Sequence, residues 1–204
     1  MEDNYYIISK ESVEEIKVKG SRFIGRSFIV SNPDEAMEQL NKIKKIEYAA
    51  THNCYAYHIG IDPQKIHFKY SDDGEPSGTA GKPIYDILHG SGLTNILVVV
   101  TRYFGGTKLG TGGLVKAYGE TAKLVIEKSG RKELFITDIL NFEIEFPLYD
   151  QFLKIANRIG ATVLDSVFTD HVTLKIEIRQ SQTANFKQDL IELTSGKINI
   201  ESEN

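Results

Sequence analysis

Residues 96–113 read Ile96-Leu97-Val98-Val99-Val100-Thr101-Arg102-Tyr103-Phe104-Gly105-Gly106-Thr107-Lys108-Leu109-Gly110-Thr111-Gly112-Gly113, and this stretch decides how the first part of the chain is built. Ile96–Thr101 is apolar without alternation, which predicts a strand covered on both faces. The glycine-rich run from Gly105 to Gly113 predicts a loop. Leu114, Tyr118, Ala122 and Val125 then recur at helical spacing and predict a helix reaching about Lys128. A strand feeding a helix through such a loop presents free N–H groups and a partial positive charge at the helix mouth. Glycines let an anion come close to that backbone. Residues 98–118 contain Arg102, Lys108 and Lys116 and no acid. Lys116, in the first turn of a helix starting near Leu114, opposes the macrodipole, and a bound anion would remove that conflict. The expected anion or nucleic-acid site is therefore Arg102, Tyr103, Gly105, Gly106, Lys108, Gly110, Gly112, Gly113 and Lys116. Neither nucleotide motif fits. Gly110-Thr111-Gly112 runs on to Leu114-Val115 without the third glycine of the dinucleotide fingerprint. Gly81-Lys82 is followed by Pro83, and Pro76 stands where a P-loop needs glycine.

Upstream, strands are expected around Tyr5–Ile8, Val13–Val18 and Arg22–Val30. Asn32-Pro33-Asp34-Glu35 starts a helix whose apolar stripe is Ala36, Leu40 and Ile43. Asn53–Ile61 and Lys65–Tyr70 read as a hairpin around Asp62-Pro63, and Ile84–His89 as a helix. Between them, Asp72 to Pro83 is too rich in turn formers for regular structure. Its acids, Asp72, Asp73 and Glu75, with Ser77, make a turn with solvated carboxylates or a partner-binding loop. The calcium-loop pattern is incomplete, and no metal is assigned. His52, Cys54 and His58 share one strand parity, but His52 and His58 would lie roughly 20 Å apart on a straight strand. One zinc cannot bridge that span. Cys54 is read as a small core residue, and Tyr118 as core on its helix stripe.

Downstream, the pattern is regular. Asn141–Phe146 alternates as a strand. Pro147 opens a helix bearing Leu148, Phe152, Ala156 and Ile159, which Gly160 ends. Thr162–Phe168 and Val172–Ile178 are strands joined at Thr169-Asp170. A helix with Phe186, Leu190 and Leu193 follows to Gly196, and Ile198–Ile200 is a last strand. The order β-α-β-β-α-β is the ferredoxin-like arrangement.

Composition agrees with a two-part chain. Of 204 residues, 41% are apolar and 25% charged, and the net charge is −4, which excludes disordered, collagen-like and supercharged chains. Residues 1–130 carry 16 basic and 16 acidic side chains, whereas residues 131–204 carry 8 and 12. After Gly130 only Gly160 and Gly196 remain, so a boundary is expected near Ser129–Lys132. The longest aliphatic run, Ile96–Val100, is far below the ~20 residues of a membrane span. The acidic start Met1-Glu2-Asp3-Asn4 lacks a basic-then-apolar signal, and one cysteine excludes an internal disulfide framework. A cytoplasmic protein is expected.

Ser21-Arg22-Phe23-Ile24, the Asp72–Pro83 run and Arg102 to Gly110 resemble the IMPACT/YigZ family. The likeness covers roughly residues 18–127 as the IMPACT N-terminal domain and 138–204 as the small C-terminal domain of bacterial members. It implies an α+β chain of two domains, 1–130 similar to ribosomal protein S5 domain 2 and 131–204 ferredoxin-like. Together they are similar to the last two domains of elongation factor G. Eukaryotic members regulate translation by competing for an activator of a stress-responsive initiation-factor kinase. Bacterial members are described as nucleic-acid-binding or translation-linked. The family brings no catalytic residue set, and no cofactor is expected.

Three readings follow. The first is a non-enzymatic regulator that binds RNA or the ribosome through the basic glycine-rich loop. The second is a protein-interaction regulator without nucleic acid. The third is an enzyme on a phosphorylated small molecule, with Asp72, Asp73 or Glu75 holding magnesium. The oligomeric state is not assigned.

Overall fold

A computed structural model describes residues 3–203; Met1 and Glu2 of the acidic start, and Asn204, lie outside the described residues. The chain is α+β and forms two compact units. One spans Tyr5–Glu133, and the other runs from Leu134 onward together with Asp3 and Asn4.

In the first unit, β2 (Ser12–Val18), β3 (Ser21–Ile29), β4 (His52–Ile59), β5 (His67–Ser71) and β6 (Ile96–Tyr103) form an antiparallel sheet ordered β2-β3-β6-β4-β5. β6 is central. Its Leu97 and Val99 pack with Ala36, Leu40 and Ile43 of α1 (Pro33–Ile46). Its Val98 and Val100 face Ile84 and Leu88 of α2 (Gly81–Gly90), and Tyr118, Ala122 and Val125 of α3 (Gly110–Ser129). Helices on both faces explain why Ile96–Thr101 shows no alternation. The start of α1 is as the sequence dictates: the Asn32 side chain accepts from the Glu35 N–H at 2.9 Å, and Pro33 takes the first helical position.

Three expectations need correcting. The loop after β6 is shorter than read, because Gly110-Thr111-Gly112-Gly113 already forms the first turn of α3. Glycine's poor propensity is outweighed there by the packing of Leu114, Ala117 and Tyr118 further along the helix. Lys116 consequently lies in the second turn and pairs with Glu120 at 3.8 Å, so the dipole conflict is relieved within the chain. α2 likewise begins at Gly81, ahead of Ile84. Finally, β1 (Asn4–Ile7) pairs with a strand the pattern did not reveal, β7 (Lys132–Phe135).

In the second unit, β8 (Thr137–Ile144), α4 (Tyr149–Ile159), β9 (Thr162–Phe168), β10 (Val172–Arg179), α5 (Gln180–Leu193) and β11 (Ile200–Glu203) follow the β-α-β-β-α-β order. The sheet order β11-β8-β10-β9 is antiparallel throughout. Leu140, Phe142, Ile144, Leu174, Ile176, Phe152, Phe186 and Leu190 make its core. Pro147 lies in a 3₁₀ turn, Phe146–Leu148, that precedes α4, and the last strand starts at Ile200 rather than Ile198.

Candidate functional site

β6 carries Arg102 to the end of the sheet, but not to its surface. Arg102 is 5% exposed. Its guanidinium lies between Phe23 and Phe104, 5.5 and 5.6 Å from their ring centroids. Nη1 donates to Glu75 Oε1 at 2.6 Å, and the Tyr118 hydroxyl donates to the same oxygen at 2.8 Å. Nη2 reaches Ser21 Oγ at 3.4 Å, and that hydroxyl also accepts the Gly105 N–H at 3.1 Å. Arg102 is thus neutralised by Glu75 inside the fold and does not face an external phosphate. Tyr103, half-buried, donates its hydroxyl to Glu47 at 2.6 Å, and Arg22 lies over its ring.

The acidic loop is also turned inward. The Asp72 carboxylate accepts the N–H groups of Gly78, Ala80 and Gly81 at 2.8–2.9 Å, which caps the start of α2. Asp73 pairs with Lys44 and accepts the Asn53 N–H, both at 2.7 Å. Glu75 faces Arg102, and only Ser77 of the four is exposed. The three carboxylates point to separate partners and do not converge. Among the described residues, no group of three or more His, Cys, Asp and Glu is placed to hold a metal ion. His52 contacts the Asp73 carbonyl at 2.8 Å, while His58 lies beside His89, so the strand-parity triad is not assembled.

Cys54 is fully buried, and its thiol donates to the Asp72 carbonyl at 3.0 Å. Burial pushes that thiol well above the ordinary cysteine range, so it stays protonated and unreactive. Titration of the folded protein with an aromatic disulfide reagent should release almost no thiolate, with a full equivalent appearing only in denaturant. Rapid reaction in the folded state would show that Cys54 is accessible.

The exposed part of the predicted site is the loop and the helix mouth. Phe104, Gly105, Gly106, Thr107 and Lys108 are exposed, as are Gly110, Thr111, Gly112 and Lys116. Gly105 has a structural reason: a Cβ there would lie 1.8 Å from the Gly20 carbonyl carbon. Gly112 has none, since a Cβ would meet nothing within 4 Å. α3 is 20 residues long, with no side-chain cap and no acid in its first turn. Lys108 has no carboxylate partner among the described residues. The structure therefore gathers Gly105–Gly113 and Lys108 on the surface and withdraws Arg102 from them.

Sequence reading missed two features. One is the buried Arg102–Glu75–Tyr118 group, whose members lie far apart in the chain. The other is an aromatic stack in which Phe68, Tyr70 and His89 lie 5.2–5.7 Å from Tyr85, with Phe68 56% exposed. The alternation of Phe68 and Tyr70 beside Lys69 was the available signal.

Residues 19–126 match the Impact N-terminal domain, and residues 142–197 match a domain of unknown function (DUF1949). The chain is 37% identical over 201 residues to the IMPACT family member YvyE of Bacillus subtilis, covering 97% of this chain and 90% of the relative. It is 30% identical to the IMPACT family member YigZ of Escherichia coli, covering 92% and 91%. A crystal structure of a hypothetical protein, 28% identical, superposes with a TM-score of 0.69 over 100% of this chain and 99% of that one. Matched in both parts and over nearly its full length, the chain belongs to the IMPACT family.

Proposed function

We propose that this protein is a non-enzymatic, translation-linked regulator of the cytoplasm that binds RNA or the ribosome through the Gly105–Lys116 surface. One observation carries the reading: a long helix opens on exposed glycines with no side-chain cap and no acid in its first turn, beside Lys108, which has no carboxylate partner among the described residues. Such a mouth favours phosphate, because its N–H groups and dipole act together. Contacts would come from those amides, Lys108 and Lys116, with Arg102 holding the loop from behind. The overall charge of −4 keeps non-specific affinity low, so selectivity rests on this local field. Among the described residues no helix is long and apolar enough to cross a membrane.

Filter binding of a structured RNA at two salt concentrations tests the reading. Binding by the wild type should weaken steeply with salt. Lys108→Glu should bind about tenfold more weakly at low salt, with the log–log salt slope reduced by about one. Equal, salt-independent retention of both proteins rejects the proposal.

The exposed aromatic stack of β5 and α2 favours a second reading, regulation through a protein partner. Phe68 and Tyr70, 56% and 41% exposed, offer a packed apolar surface of the kind partners use. A stoichiometric partner recovered after nuclease treatment, and lost with Phe68→Ala, would support it; ribosomal RNA alone would count against it.

A further inference from the structure

β8 is paired along its whole length with β10 on one side, whereas among the described residues β11 pairs with Ile139–Phe142 on the other. Residues 197–199, ahead of β11, are not in a strand, so among the described residues Glu143 and Ile144 have no strand paired with them on that side. The gap is a groove of about 790 Å³, within the range of ligand sites. An unpaired strand edge is a template for an added strand. Leu148 and Leu193 give the groove half-buried apolar contacts. Its other character is acidic. Glu145 and Glu201 have no cationic partner among the described residues, and Glu143 accepts only the Thr173 hydroxyl at 3.1 Å. Among the described residues of the lining, Lys197 is the one lysine or arginine.

We propose that this groove binds an extended basic protein segment, which joins the sheet beside the free end of β8. Strand geometry sets what fits. Successive side chains point to opposite faces, so lysine or arginine would alternate with apolar residues. The cations meet Glu143 and Glu201 on the exposed face, and the apolar residues meet Leu148 and Leu193. The carboxylates that attract such a peptide repel nucleic acid, so this surface is separate in chemistry from the helix mouth and does not rest on the RNA reading.

The test uses the full chain and a fluorescent peptide of repeating lysine–valine pairs, followed by anisotropy. Saturable binding is expected, with a glutamate–valine peptide at least about tenfold weaker. The Glu143→Lys/Glu201→Lys variant, with unchanged thermal unfolding, should lose about tenfold in affinity, equivalent to about 1.4 kcal/mol. A lysine–valine peptide N-methylated on alternate amides keeps its charge but cannot pair as a strand, and should also bind about tenfold more weakly. Equal binding of the N-methylated peptide overturns strand addition, and equal binding by the charge-reversed protein overturns the site. Absence of saturation up to about 1 mM peptide overturns the proposal. Self-association disrupted by the double variant, with no peptide binding, assigns the edge to a second copy and overturns it equally.

Discussion

Arg102→Met should destabilise the first unit by about 3–5 kcal/mol in urea unfolding, because it strands a carboxylate inside the fold. Glu75 is 3% exposed at its side chain, and its hydrogen-bonding partners are Arg102 and the Tyr118 hydroxyl. Without the guanidinium, the buried carboxylate keeps only the Tyr118 hydroxyl on one oxygen and the His52 ring nitrogen 3.9 Å from the other. A loss of that size is a large share of the ~5–15 kcal/mol that holds an ordinary domain together. The converse substitution, Glu75→Gln, leaves Arg102 uncompensated beside Phe23 and Phe104 and should cost a similar amount. Removing both charges with Arg102→Met/Glu75→Met should recover most of the loss, since two apolar side chains carry no desolvation cost. A single-variant loss below about 1 kcal/mol, or a double variant as unstable as the sum of both singles, would show that the pair is not what closes this part of the core.

The same pair shows why part of the site was illegible. Local patterns have local signatures: the unbroken Ile96–Thr101 run, the Asn32-Pro33 start and the alternation of β10 formed the elements they specify, while the alternation read at Asn141–Phe146 marks the end of a strand that begins at Thr137 and stops at Ile144. Arg102 lies 27 positions and Tyr118 43 positions beyond Glu75. No periodicity marks residues that meet only when β6, α3 and the 72–80 segment fold together. Sequence alone therefore put a cation and three acids on the surface, where such residues usually lie. Asp72 and Asp73 were misjudged for a related reason. Acids in turn-rich segments often bond backbone amides, and whose amides they meet depends on where α2 starts. The helix mouth was read more closely, because a glycine run leading into an apolar stripe states its own topology. The error at Gly110 was one of extent: packing beyond the first turn decides where a helix starts, and glycines hide it.

The glycines divide into structural and functional ones by a contrast that can be measured. Gly105→Ala should cost about 3 kcal/mol, since its methyl would lie 1.8 Å from the Gly20 carbonyl carbon and 2.1 Å from its oxygen. Both are backbone atoms, so no side chain can move aside. The segments around Gly20 and Gly105 must separate, breaking the Gly105 N–H bond to Ser21 Oγ as they do. Gly112→Ala meets nothing within 4 Å and lies inside α3, so it should stabilise the fold by about 0.5–1 kcal/mol through lower backbone entropy in the unfolded chain and better helix propensity. A glycine that costs stability and fills no tight space needs another reason to be there. If the reason is close approach of a phosphate to the helix amides, Gly112→Ala should weaken RNA binding about threefold or more while raising the urea midpoint. Stability and affinity moving in opposite directions identify Gly112 as part of the receptor. If both rise together, the open mouth of α3 is not where RNA is held, and the protein-partner surface of β5 and α2 becomes the better account.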